Sequence, residues 1–319
     1  MIERTALILG ATGGIGGAVA RGLAARGWRV RALHRRPDPA RDPAFAWIGG
    51  DAMVATDVAA AARDAALIVH AVNPPGYRDW DRLVLPMIDN SIAAAQANGA
   101  RILLPGTLYN YGPDAFPLIG EEAPQHAPTA KGRIRVELER RLAEATTTGT
   151  ARALIVRAGD FFGPQPGNNW FGQGIVRPGR RPRVIRRPGK PGVGHQWAYL
   201  PDVAETMVRL AERDDLEPFA RFHMDGHWDP DGSRMTDAIR RALRAPAVPV
   251  RPLPWWAMRL ASPAVPLLRE LLEMRYLWQQ PVRLDNRRLV AVLGDEPRTP
   301  LDTAVRATLA ALGCLAERA

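Results

Sequence analysis

The chain has 319 residues, 46% of them hydrophobic, and a formal net charge of +10, which suits one large or two coupled domains with a sizeable core. Its one cysteine, Cys314, excludes an internal disulfide and points to a reducing, cytoplasmic setting. The first apolar run, Ala6 to Leu9, has a strand's length and not a signal peptide's, and Pro263, Pro266 and Arg269 keep the most apolar late segment below membrane-spanning length.

Thr5 to Leu9 reads as a fully buried strand. From it, Leu7-Ile8-Leu9-Gly10-Ala11-Thr12-Gly13-Gly14-Ile15-Gly16 passes through three glycines into a helical pattern. Gly10 allows the turn, Gly13 a close approach to phosphates, and Gly16 helix–strand packing. The following helix offers its first N–H groups to an anion. Gly10, Thr12, Gly13, Gly14, Ile15 and Gly16 are therefore candidate dinucleotide contacts. Ile15 to Arg26 reads as that helix, with Val19 and Leu23 on one face and Gly27 as its stop.

Arg29 to His34 is the second strand. At its end stand Arg35 and Arg36, with no carboxylate until Asp38. An acidic residue there would bind the ribose 2′-hydroxyl of NAD, whereas arginine accommodates the 2′-phosphate of NADP. The reading favours NADP(H), with NAD(H) as the alternative. Ala44 to Ile48 is a third strand, ending in Gly49-Gly50-Asp51; Asp51 would either meet the adenine amino group or cap the next segment. Ala65 to Val72 contains the fourth strand, and Ala71, Val72 and Asn73 at its end are further cofactor candidates. Asp79 to Asn98 is a helix closed by Gly99, and Arg101 to Leu104 a fifth strand. Such alternation implies an α/β, doubly wound parallel sheet with ligands at the strands' carboxyl ends. Gly10, Arg35, Asp51, Ala71 and Thr107 then share one rim.

The turn Thr12-Gly13-x-x-Gly16, the pair Gly50-Asp51 and the segment Gly106-Thr107-Leu108-Tyr109-Asn110-Tyr111-Gly112 resemble the extended short-chain dehydrogenase/reductase superfamily, which includes nucleotide-sugar epimerases and dehydratases. So do Glu121-Glu122-Ala123-Pro124 and Pro128, before a helix ending in Glu137-Leu138-Glu139. Arg157 to Pro164, Trp197 to Ala204 and Leu293 to Leu301 extend the resemblance over nearly the whole chain. It implies a Rossmann-type fold, and it places Ala158 and Asp160 beside the nicotinamide.

The resemblance also implies a Tyr-x-x-x-Lys pair after the fifth strand, assisted by an upstream hydroxyl. That pair is absent: Lys131 stands at the tyrosine position and Arg135 at the lysine position, while Thr107 keeps the hydroxyl. Thr107, Tyr109, Lys131 and Arg135 are the catalytic candidates, Arg135 also as a cofactor contact. Three readings stay open. Lys131 or Tyr109 carries the proton of an atypical reductase; or the chain binds dinucleotide without chemistry, as a sensor or interaction protein; or Lys131 and Arg135 bind an anion and other groups react.

Thr150 to Arg157 is a sixth strand. Gly163 to Gly194 is rich in Gly, Pro and Arg, and its cluster of Arg177, Arg180, Arg181, Arg183, Arg186, Arg187 and Lys190 reads as a solvated loop or a grip on phosphate or carboxylate. It lacks the aromatic platform that nucleic acid would want. His195 to Tyr199 and Phe219 to Met224 read as strands, Asp202 as the N-cap of Val203 to Glu212, and Ser233 to Leu243 as a helix. Val248 to Leu253 is strand-like. Pro254-Trp255-Trp256 opens a long apolar helix, and Trp255, Trp256 and Trp278 would make a pocket apolar. The six histidines show no metal-binding spacing.

The expected architecture is a Rossmann domain over 1–163 plus about 196–219, with a smaller discontinuous substrate domain over 164–195 and 220–319. The expected function is an NADP(H)-binding atypical extended dehydrogenase/reductase that reduces or epimerises a small carbonyl or sugar-like substrate. The expected partners are that small molecule, no nucleic acid and no membrane, with a homodimer left open.

Overall fold

All five residues of β1 (Thr5–Leu9) are buried, because the strand is covered on both faces. Ala6 and Ile8 enter one apolar cluster and Leu7 and Leu9 the other, as the two-residue period of a strand requires. The computed structural model describes residues 4–74, 79–165 and 169–315. After β1 come α1 (Gly14–Ala25), β2 (Arg29–His34), β3 (Ala46–Gly49), α2 (Ala55–Ala61), β4 (Leu67–His70), α3 (Trp80–Asn98) and β5 (Arg101–Gly106). Then follow β6 (Leu118–Ile119), α4 (Ala130–Thr147), β7 (Arg152–Arg157), β8 (Asp160–Phe162), β9 (Ile185–Arg187), β10 (His195–Tyr199), α5 (Leu200–Ala211) and β11 (Phe219–His223). The remainder is β12 (His227–Asp229), α6 (Arg234–Leu243), β13 (Val250–Pro252), α7 (Trp255–Ala261), α8 (Pro266–Glu273), β14 (Arg283–Leu284), α9 (Arg287–Leu293) and α10 (Leu301–Ala311).

Seven strands form one parallel sheet in the order β11-β7-β5-β4-β1-β2-β3. The order reverses between β1 and β4, and the crevice beyond the carboxyl ends there is where such sheets bind ligands. α1 and α5 cover one face, while α2, α3 and α4 cover the other. β11 pairs with β7 in this sheet, so the sheet extends past the expected changeover at 219. A separate cluster, including Phe162, Phe171, Trp197, Ile239, Trp278 and Leu309, forms the core of the smaller part.

Three helical readings are corrected by the structure. α4 does not end at Glu139 but runs to Thr147, which places Glu139 mid-helix. α5 starts at Leu200, with Pro201 in its first turn and Tyr199 as N-cap. Asp202 is therefore no cap; its carboxylate accepts the Thr299 N–H and hydroxyl, both at 2.7 Å. The long apolar helix is two helices, α7 and α8, because Pro263 lacks the N–H that would continue α7 and Pro266 begins α8.

A buried ion pair joins the sheet to α4. Arg157, 1% exposed, donates to both carboxylate oxygens of Glu139 at 2.8 Å. Gln125 donates to the same carboxylate at 2.9 Å.

Candidate functional site

The β1–α1 turn has the geometry of a phosphate cradle. Gly10 has φ +95°, and a Cβ there would lie 2.5 Å from the Ala71 carbonyl oxygen. A Cβ on Gly16 would lie 2.3 Å from the Gly10 oxygen, so strand and helix meet at a distance only glycine permits. Gly13 caps α1 without any side-chain hydrogen bond, and the first turn holds no acidic residue. Thr12 and Gly13 are exposed, and Gly14 and Ile15 are half-buried. Free N–H groups at an uncapped helix start fit a dinucleotide pyrophosphate.

Around this turn the other candidates separate by role. Arg35 and Arg36 are exposed at the end of β2, and neither is in an ion pair among the described residues. Asp38 accepts the Ala40 N–H. Asp51 accepts the Met53 N–H at 3.0 Å in the turn before α2, and since Val54 is the N-cap of that helix, Asp51 does not cap it. Ala71 and Val72 are half-buried beyond β4, and Asn73 accepts a hydrogen bond from Arg135 at 2.8 Å.

α4 carries Lys131 and Arg135. Thr129 caps it by accepting the Gly132 N–H at 3.0 Å. A Cβ on Gly132 would meet the Tyr109 carbonyl oxygen at 2.2 Å, so α4 starts hard against the turn Leu108–Asn110. Lys131 and Arg135, one helical turn apart, are both buried. Arg135 reaches the β4 end through Asn73, and its guanidinium lies 5.0 Å from the Trp80 ring centroid. Lys131 Nζ donates to Glu270 and, at 2.6 Å, to Glu273, both on α8. Thr107 and Tyr109 line a cleft with Ala158, Asp160, Asn169 and Trp170.

Sequence reasoning missed α8's carboxylates and a second device. His195 Nε2 lies 2.7 Å from Asp160 Oδ2, and the imidazole stacks on Trp278 at 3.6 Å between centroids. His195, Arg187 and Trp278 line a second cleft with Arg186 and Lys190. Arg187 Nε, His195 Nδ1 and Trp278 Nε1 are buried there without a hydrogen-bond partner among the described residues. Buried polar groups are nearly always paired, so the Arg187 and Trp278 N–H groups in this cleft suit a ligand with acceptor atoms. Of the expected tryptophan wall, Trp278 lines this cleft and Trp255 donates to the Pro188 carbonyl at 2.8 Å, but Trp256 is 71% exposed and forms no pocket wall. The basic cluster also divides: Arg177, Arg180, Arg181 and Arg183 are exposed, while Arg186, Arg187 and Lys190 reach the cleft. Two acceptors, Asp160 and Asp229, stand close by.

Residues 10–150 match the profile of a family described as NAD(P)H-binding. Among solved structures, L-threonine dehydrogenase from Clostridium difficile is 15% identical with a TM-score of 0.76, covering 97% of this chain and 98% of that one. UDP-glucuronic acid 4-epimerase from Bacillus cereus, in complex with NAD, is 14% identical with a TM-score of 0.75 and the same coverage. UDP-glucose 4-epimerase from Thermotoga maritima, with UDP-glucose, is 14% identical with a TM-score of 0.74 over 96% of this chain and 98% of that one. The chain shares the fold of these dehydrogenase and epimerase structures. No curated protein matches it in sequence. Among the described residues no helix is long and apolar enough to cross a membrane, and no group of His, Cys, Asp and Glu could hold a metal.

Two buried histidines give the fold a pH dependence. Burial, with the Arg135 guanidinium adding to it, lowers His70 to about 3. Burial and then Arg157 lower His223 to about 3. In the unfolded chain both take up a proton near pH 6.5, so the unfolded state binds more protons as pH falls. Their stabilising effect is full above 6.5 and is lost between 6.5 and 3, at about 1.4 kcal/mol per pH unit for each histidine. Urea midpoints measured from neutrality downward should fall over this range, and less so in a His223→Gln variant. Midpoints independent of pH would contradict neutral buried imidazoles.

Proposed function

We propose that this chain is an NADP(H)-dependent oxidoreductase acting on a small carbonyl or sugar-like substrate that carries an anionic group. The observation that carries the reading is the buried Lys131, at the proton-carrier position of the fold, on a helix that starts against the Thr107–Tyr109 cleft. Its burial supports an enzyme over a sensor, in which that lysine would face solvent.

Bound across the β1–α1 turn, the dinucleotide would supply or accept a hydride at the substrate carbon. Thr107 orients the substrate oxygen, and Lys131 gives or takes its proton. Arg135, tied to Asn73, holds the cofactor ribose in place of the family's lysine. Ala158 lies along the nicotinamide side. The second cleft takes the anionic end of the substrate, where Arg187 and Trp278 supply donors. The UDP-sugars named in the similar structures are one class with such an end.

Arg35 and Arg36 set the cofactor preference. A charge-assisted contact to the 2′-phosphate is worth about 1.5–3 kcal/mol, about tenfold or more in affinity. Titrating NADPH and NADH into the apo protein should show that gap, and Arg35→Asp should reverse it. Equal affinities, or tighter NADH binding, would sink the NADP(H) assignment.

A further inference from the structure

We infer that Glu270 and Glu273 form the proton relay that connects Lys131 to water, making α8 part of the reaction centre. The inference rests on the reading of Lys131 as proton carrier. The two carboxylates sit three residues apart on α8, the spacing that puts side chains on one helix face. Both accept from Lys131 Nζ, and Glu273 Oε1 also accepts the Lys131 backbone N–H at 3.4 Å. The Lys131 side chain is 5% exposed, against 24% for Glu270 and 25% for Glu273. Burial thus falls off along one chain of hydrogen bonds, from ammonium through carboxylates to solvent. A buried amine that gives up a proton each turnover needs such a route, and helix α8 supplies it.

The steps balance. An N–H bond of the Lys131 ammonium breaks and an O–H bond forms on the substrate oxygen, the bonding pair staying on nitrogen. The substrate carbon receives its hydride from a reduced nicotinamide dinucleotide. A solvent hydronium ion then gives its proton to a carboxyl oxygen, leaving water, and the carboxyl group passes it to the amine and restores the ammonium. In the oxidative direction each transfer reverses. The carboxylates are positioning residues; of these three, Lys131 alone meets the substrate.

The test compares wild type with Glu270→Gln/Glu273→Gln in the full chain, using NADPH and 4-carboxybenzaldehyde, a small aldehyde with an anionic end. Lys131 brings its own proton to the first turnover, so the variant should keep a burst of one NADPH oxidised per site. Its steady-state rate should then fall by about tenfold or more, with NADPH affinity unchanged. Added acetate should restore much of the loss, as should aspartate in place of each glutamine. A readout independent of turnover is amine labelling resolved by peptide mass, made simple by the chain's two lysines. Lys131 should label far more slowly than Lys190 in wild type and about tenfold or more faster in the variant, as expected when a close charge pair is lost. Wild-type steady-state turnover that survives the double substitution overturns the relay alone. If wild type oxidises no NADPH with this aldehyde, the reading of Lys131 as carbonyl-reducing acid fails and the relay fails with it, whatever the labelling shows.

Discussion

Glu139→Ala is expected to destabilise the fold by about 3–5 kcal/mol, the cost of leaving a buried charge without its partner. Arg157 is 1% exposed and gives Glu139 three hydrogen bonds, at 2.8, 2.8 and 3.1 Å. Remove the carboxylate and, among the described residues, the guanidinium keeps only the Tyr111 hydroxyl as a hydrogen-bond acceptor, at 3.4 Å. Gln125 loses its acceptor at the same time. The loss should shift the urea midpoint without changing the slope. Replacing both partners by apolar residues, Glu139→Leu with Arg157→Met, should cost less than the single change, because no charge is then buried alone. A single-variant loss under about 1 kcal/mol, the size of an exposed pair, would show that this pair does not anchor α4 to the sheet.

Lys131→Ala should lower turnover by about 10² to 10⁴, the range a positioned acid–base group contributes. Cofactor affinity should stay nearly unchanged, because Lys131 is tied to α8 and not to the β4 end. Arg135→Ala should do the opposite and weaken cofactor binding, since Arg135 reaches Asn73. Lys131→Tyr with Arg135→Lys rebuilds the family pair and should raise any weak carbonyl reduction. The informative comparison is kcat against cofactor Kd in the same preparations. If Lys131→Ala turns over at the wild-type rate, Tyr109, which lines the cleft with Thr107, becomes the proton carrier.

What the sequence made legible is local. The turn from Leu9 through Gly16 is set by three glycines within one strand–helix junction, and Gly27 and Gly99 take the positive φ expected of helix stops. Strand ends were less exact: β5 runs to Gly106 and not Leu104, and β3 begins at Ala46 and not Ala44. Asp202 looked like a cap because a carboxylate before an apolar helix usually is one; Pro201 let the helix start earlier, and Thr299, ninety-seven residues on, took the carboxylate. The site's missed parts are all long-range. Glu270 and Glu273 were a plain acidic pair in an apolar stretch, and nothing near them in sequence says that they meet a lysine 139 and 142 residues away. Arg157 and Glu139 were read only as family-like strand and helix ends, since a buried guanidinium has no local signature. His195 was read as the start of a strand, and its pairing with Asp160 needed β10 beside β8.

Hydride transfer itself tests the account most directly. The protein would be incubated with NADPH deuterated at C4 and with 4-carboxybenzaldehyde, and the alcohol examined by mass spectrometry. The account predicts an alcohol carrying deuterium from the cofactor, formed by wild type and lost in step with kcat in Lys131→Ala. NADPH that binds tightly yet transfers no deuterium to the aldehyde would contradict it.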